Sequence, residues 1–206
     1  MATRGRPRTF DESAALDKAM RVFWERGYEA AGVDDLAKAM GISMSTFYSS
    51  FGDKEKLFLS SLDKYETEKR GYAADVLARD QPAALAFQEL LEEAAHQLTR
   101  EDQPLGCMLT LALHNCSPQM EPLRQNLNKR RAATVDAFES RLKEAQASHE
   151  FDAKIDIRGL ACFLANTMQG MSLQARAGAT RKDLIKVSQW AMRAWPSGRE
   201  QAARTS

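Results

Sequence analysis

The sequence contains no apolar run close to the roughly 18 residues that a membrane helix requires, and its beginning lacks the apolar core of a signal peptide. The expectation is a cytoplasmic protein with no membrane attachment. Cysteine is scarce: Cys107, Cys116 and Cys162 are an odd, widely spaced set. Such a set fits neither a disulfide framework nor zinc-ligand spacing, so reduced thiols are expected. Histidine is equally sparse, with only His96, His114 and His149. With no recognisable catalytic or metal-ligating spacing, the chain is expected to be no enzyme and to need no cofactor or metal. Charge of one sign is also missing, since 29 basic and 28 acidic residues leave a formal +1. That total excludes little, because a nucleic-acid binder can keep its basic groups local. Finally, no run alternates with period two over strand length, which argues against a sheet.

What is present is ordinary globular material: 206 residues, 44% hydrophobic and 28% charged, enough to bury a core. Six prolines and eleven glycines sit almost entirely at joints between long stretches of 3.6-residue apolar periodicity, so the fold class is all-α with about nine helices. Leu16, Ala19, Met20 and Phe23 place one apolar face on a first helix from about Phe10 to Arg26, started by a Thr9/Glu12 capping box and stopped at Gly27. A short helix follows in VDDLAKAM and ends at Gly41. The next begins at once in ISMSTFYSSFG, with Ser43 as its cap. Two short helices joined by a glycine turn are the layout of a helix-turn-helix.

On a helical wheel this third helix sets Phe47 and Phe51 inward and Ser45, Thr46 and Ser49 outward, with Met44 and Tyr48 at the flank and Ser43 and Ser50 at its ends. Small hydroxyl-bearing side chains on a short helix suit the major groove, and a tyrosine can reach phosphate. Lys54, at the start of the following helix, adds a cation beside exposed N–H groups.

The stretch AAGVDDLAKAMGISMSTFYSSFGDKEKLF, with RGY closing the first helix, resembles the DNA-binding signature of the TetR/AcrR family of bacterial transcriptional regulators. The resemblance covers about residues 10 to 60. It implies a DNA-reading head followed by helices that bind an effector and dimerise, here divided into residues 1–55, 56–196 and a polar tail at 197–206. It implies a repressor that binds a palindromic double-stranded DNA operator as a homodimer and is released by a small-molecule or electrophile effector. Ala31 and Gly32 stand where the family often has a phosphate-touching Ser or Thr. Directly before the head, TRGRPR resembles the core of A·T-hook peptides, making Arg4 and Arg6 candidates for the minor groove and Arg8 for phosphate. A merely solvated leader is the alternative.

The second half is less specific. GCMLTLALHNCSPQ places Cys107, Leu111 and His114 on one helical face, with Cys116 about 13 Å further along the axis and out of disulfide reach. The glycine-cysteine pair resembles a subset of the family that senses electrophiles or oxidants; Cys107 is then a reactive thiolate or, alternatively, a small core residue. Met108, His114, Phe163, Asn166 and Gln169, with Cys107 and Leu111, make a candidate pocket, though plain bundle core is compatible. The last two helices carry Leu160, Leu164, Met168, Met171, Leu184, Val187 and Trp190 in apolar stripes. In the family this pair forms the dimer interface; the alternative is that the stripes pack within the chain.

Overall fold

The computed structural model describes residues 11–112 and 120–196, and among these the chain is nine helices and no strand. The first three build a compact head. Helix α1, Glu12–Ala30, is capped by Asp11, whose carboxylate accepts from the Ala14 N–H at 3.1 Å. The expected Thr9 cap lies outside the described residues, and Asp11, with its extended backbone, starts the helix instead. Nor does the helix stop at Arg26. Gly27 breaks the regular backbone at φ 78°, ψ 173°, and one further turn runs on to Ala30.

Helix α2, Val33–Met40, has Asp34 and Asp35 in its first turn, where negative charge is favoured. It ends at Gly41, in the left-handed conformation at φ 75°, whose N–H reaches the Ala37 and Lys38 carbonyls at 3.0 and 3.1 Å. A side chain there would be strained, so glycine is what makes the tight turn possible. Helix α3, Met44–Phe51, starts at Ser43, whose hydroxyl accepts from the Thr46 N–H at 3.1 Å. The Ser43 cap and the inward placement of Phe47, fully buried, stand as expected from the sequence.

Helix α4, Lys54–Leu77, is capped by Asp53 and leads from the head into the bundle. There it meets α5, Ala83–Leu98; α6, Met108–Leu111; α7, Glu121–Ala147; α8, Ile157–Arg176; and α9, Arg181–Arg193. The last begins with a reciprocal Thr180/Asp183 capping box. One continuous apolar core runs from Ala15 to Ala191. In the head, Phe23 and Tyr28 both meet Phe58 edge-on with ring centroids 5.1 Å apart. In the bundle, Phe87 meets Phe138 in the same manner at 5.2 Å. Such perpendicular contacts suit the ring quadrupoles and add to area burial.

Candidate nucleic-acid interface and effector cavity

Burial of Phe47 and Phe51 fixes the rotation of α3, and the opposite face is left to solvent. Ser43, Ser45, Tyr48, Ser49 and Ser50 are exposed there, with Met44 and Thr46 half-buried. Tyr48 is 54% exposed, and its ring leans edge-on against Phe47 at 5.3 Å, which holds the phenol outward. The hydroxyls of Ser43 and Thr46 pair with each other at 2.9 Å, and Ser49 donates to the Thr46 carbonyl at 3.2 Å. These hydroxyls therefore shape the helix as well as its surface. Helix α2 has no side-chain cap at Gly32, so the missing Ser or Thr leaves its first N–H groups to backbone chemistry.

Lys54 does not project freely. It is half-buried, its ammonium donates to the Glu29 carbonyl at 3.3 Å and lies 4.5 Å from the centroid of the Tyr28 ring. Burial pulls its pKa below the usual lysine value, and Glu29 pushes partly back. The expected phosphate cation is thus first a strut between the last turn of α1 and the start of α4. Arg4, Arg6 and Arg8 lie outside the described residues.

Behind the head a cavity of about 40 Å³ opens between α4, α5, α6, α7 and α8. Cys107 lines it from the N-cap of α6, its backbone N–H held by the Ser172 hydroxyl at 2.8 Å. Gln169 also lines it, as does Met168, which the sequence assigned to the dimer stripe. The other pocket candidates lie elsewhere. Met108 is 1% exposed in the core, Leu111 borders a separate cavity beside Trp24 and Arg176, and Phe163 and Asn166 face outward. His114 falls outside the described residues. Phe163 and Asn166 miss the cavity because α8 turns its Ala165, Met168 and Gln169 edge toward α4.

Sequence reasoning missed Tyr65, Arg70, Tyr72, Gln103 and Arg131, all of which line the cavity. A signal was available: the inward stripe of α4 through Leu62, Tyr65, Tyr72 and Val76 is interrupted by polar groups where a core helix would be aliphatic. Burial pushes the Tyr65 phenol well above its ordinary pKa, with the Cys107 thiol a second cause, and burial likewise raises Tyr72. For Arg70 burial works downward, but the nearby Cys107, Tyr65 and Tyr72 raise its pKa overall.

The outer face of α8 and α9 carries Phe163 (41% exposed), Val187 (41%) and Trp190 (67%) around a shallow apolar groove. Leu160 is half-buried. Leu164, Met171 and Leu184, expected at the interface, are each 1% exposed within the single chain. They lie on the inward stripes, where α8 packs on α7 and α9 and α9 packs on α5, and so back the outer face rather than form it.

A three-helix head carrying a helix-turn-helix, joined by α4 to an all-helical bundle with an internal cavity, defines a helix-turn-helix regulator. The family description "Bacterial regulatory proteins, tetR family" matches residues 15–60, and "Tetracyclin repressor-like, C-terminal domain" matches 86–190. The chain belongs to the TetR family of bacterial regulatory proteins. It is 35% identical over 198 residues to the HTH-type transcriptional repressor ComR of Escherichia coli K12, covering 94% of this chain and 93% of ComR. The repressor BdcR of the same organism is 27% identical over 180 residues, covering 87% and 86%. A cysteine mutant of the TetR family regulator CifR, solved with 26-bp double-strand operator DNA, superposes with a TM-score of 0.89 at 37% identity, covering 93% of this chain and all of that one.

Proposed function

We propose that the chain is a repressor that binds a palindromic double-stranded operator as a cytoplasmic homodimer and leaves it when an effector enters the cavity beside Cys107. The observation that carries this is the exposed, hydroxyl-rich face of α3 with Tyr48 at its edge, in a chain whose 37%-identical neighbour CifR was solved on operator DNA. Two recognition helices must occupy successive major grooves about 34 to 36 Å apart. Phe163, Val187 and Trp190 supply the apolar face on which two copies would set that spacing.

Release requires an effector to favour a second arrangement of the heads, and only differential affinity for the two arrangements can shift the balance. The head is held to the bundle by three side chains that grip backbone carbonyls. Arg21 donates to Asp102 O at 3.2 Å, Trp24 to Gly106 O at 3.0 Å, and Arg176 to Glu25 O. The residues between Asp102 and Cys107 therefore touch both the cavity and α1. Whether the effector binds or modifies the Cys107 thiol, this segment and α4, which also lines the cavity and packs on α1, both connect it to the head. Mobility shift of the promoter fragment beside the chain's own gene tests the reading. A salt-dependent shift lost on Tyr48→Ala is expected, and the absence of any shift would leave a helical interaction module without DNA binding.

A further inference from the structure

The lining of the cavity beside Cys107 is charged in one sense only. Lys69, Arg70 and Arg131 contribute to it, and among the described residues no aspartate or glutamate does. Just outside, Glu66 contacts both Arg70 and Arg130, and Arg130 also takes Asp63 at 2.6 Å. The carboxylate nearest to Arg70 is thus divided between two guanidiniums, and its own contact with Arg70 is a long 3.5 Å. Arg70 also donates to the Thr134 hydroxyl at 3.3 Å, which steadies its fork, and its side chain is only 18% exposed. A planar guanidinium held in a desolvated site recognises carboxylate geometry better than an ammonium does.

A second group points to the same ligand. The side-chain amide of Gln103 donates to the Gln97 carbonyl at 2.8 Å, but its Oε1 is buried without a partner. A buried acceptor in that state requires a donor, and Gln103 lines this cavity. Size sets the third limit. About 40 Å³ is a few times the roughly 10 to 15 Å³ that one water needs, so the site suits only an anion as small as acetate or glycolate.

We propose that this cavity is a site for a small carboxylate, gripped by the Arg70 guanidinium and giving a hydroxyl proton to Gln103 Oε1, as a short 2-hydroxy acid would. The inference rests on the reading of the cavity as the effector site and names the effector's chemical class. Arg70 belongs to α4, Arg131 to α7, and Gln103 to the segment that holds α1, so one small anion would touch all three parts.

Calorimetric titration of the full-length chain at neutral pH and constant ionic strength tests it, with acetate, glycolate and the neutral isostere acetamide as probes. Glycolate and acetate are expected to bind and acetamide not, with glycolate tighter than acetate by about threefold for one added neutral hydrogen bond. Arg70→Gln should weaken both carboxylates by about tenfold or more, and Gln103→Leu should remove only the advantage of glycolate. If Arg70→Gln does not fold, Arg70→Lys keeps the charge without the fork and should still weaken binding. Equal binding of acetamide, unchanged affinity in the Arg70 variants, or no binding of either carboxylate at millimolar concentration would overturn the assignment. Operator binding measured on the same preparation keeps the two readings apart. A chain that binds carboxylate through Arg70 but no DNA would end the repressor reading and leave the site, and the reverse result would end the site alone.

Discussion

The indole N–H of Trp24 donates to the carbonyl of Gly106 at 3.0 Å, joining residues 82 positions apart inside the core. Gly106 can offer that carbonyl because it adopts φ 80°, and a Cβ there would come within 2.8 Å of the Ser172 carbonyl. Trp24→Phe keeps most of the apolar volume and orphans the acceptor, so unfolding in denaturant should lose about 1 to 3 kcal/mol. Gly106→Ala strains the backbone and collides with Ser172, and should destabilise at least as much. Equal midpoints for wild type and Trp24→Phe would show that the bond contributes nothing net.

On α3 two adjacent aromatic residues should behave oppositely. Tyr48→Ala removes an exposed ring, so the melting temperature should hold while operator affinity falls. Phe47→Ala empties a fully buried site and should cost about 3 to 5 kcal/mol of stability. Paired thermal melts and mobility shifts check both variants.

The outer face of α8 and α9 predicts its own disruption. Trp190→Glu or Val187→Glu places a charge in the apolar groove, where burial against a second copy would be strongly unfavourable. Sedimentation should show the wild type as a dimer and the variants shifted to monomer. Operator affinity should drop with the loss of the second recognition helix. A variant that sediments like wild type would place the interface elsewhere.

The phenols of Tyr65 and Tyr72 are both raised by burial. A raised phenol pKa means that the unfolded chain gives up its proton first, near the ordinary value of about 10. Stability is therefore complete below that pH and declines as pH rises above it toward the folded values. Absorbance titration should show the last tyrosines ionising together with the loss of helical circular dichroism. Ionisation of all four tyrosines in an intact fold would contradict the burial of these two.

The helix-turn-helix was legible where its determinants are local, although both ends of α1 and the packing of Lys54 were not. Gly41 sets the turn, Ser43 caps α3, and Phe47 with Phe51 gives α3 its rotation. Each can be read from residues within a few positions of one another. The cavity was not, because its lining converges from five helices separated by up to about a hundred residues, and Arg70 and Arg131 look like ordinary surface cations on long polar helices. Their partners, Thr134 for one and the Leu109 and Thr110 carbonyls for the other, belong to distant elements. Leu164 and Phe163 show the same limit. Both are large and apolar on one helix, and only the placement of α7 and α9 decides that the first is core and the second surface.

Arg21, Trp24 and Arg176 all attach the head to the bundle through main-chain oxygens. A carbonyl is supplied by every amino acid, so the side chains of Asp102 and Glu25 can change without removing the acceptor. The donors have no such freedom. Gly106 apart, the loop before α6 can therefore be rewritten to suit a different effector while its mechanical connection to the head persists, which separates what the protein responds to from how the response is delivered.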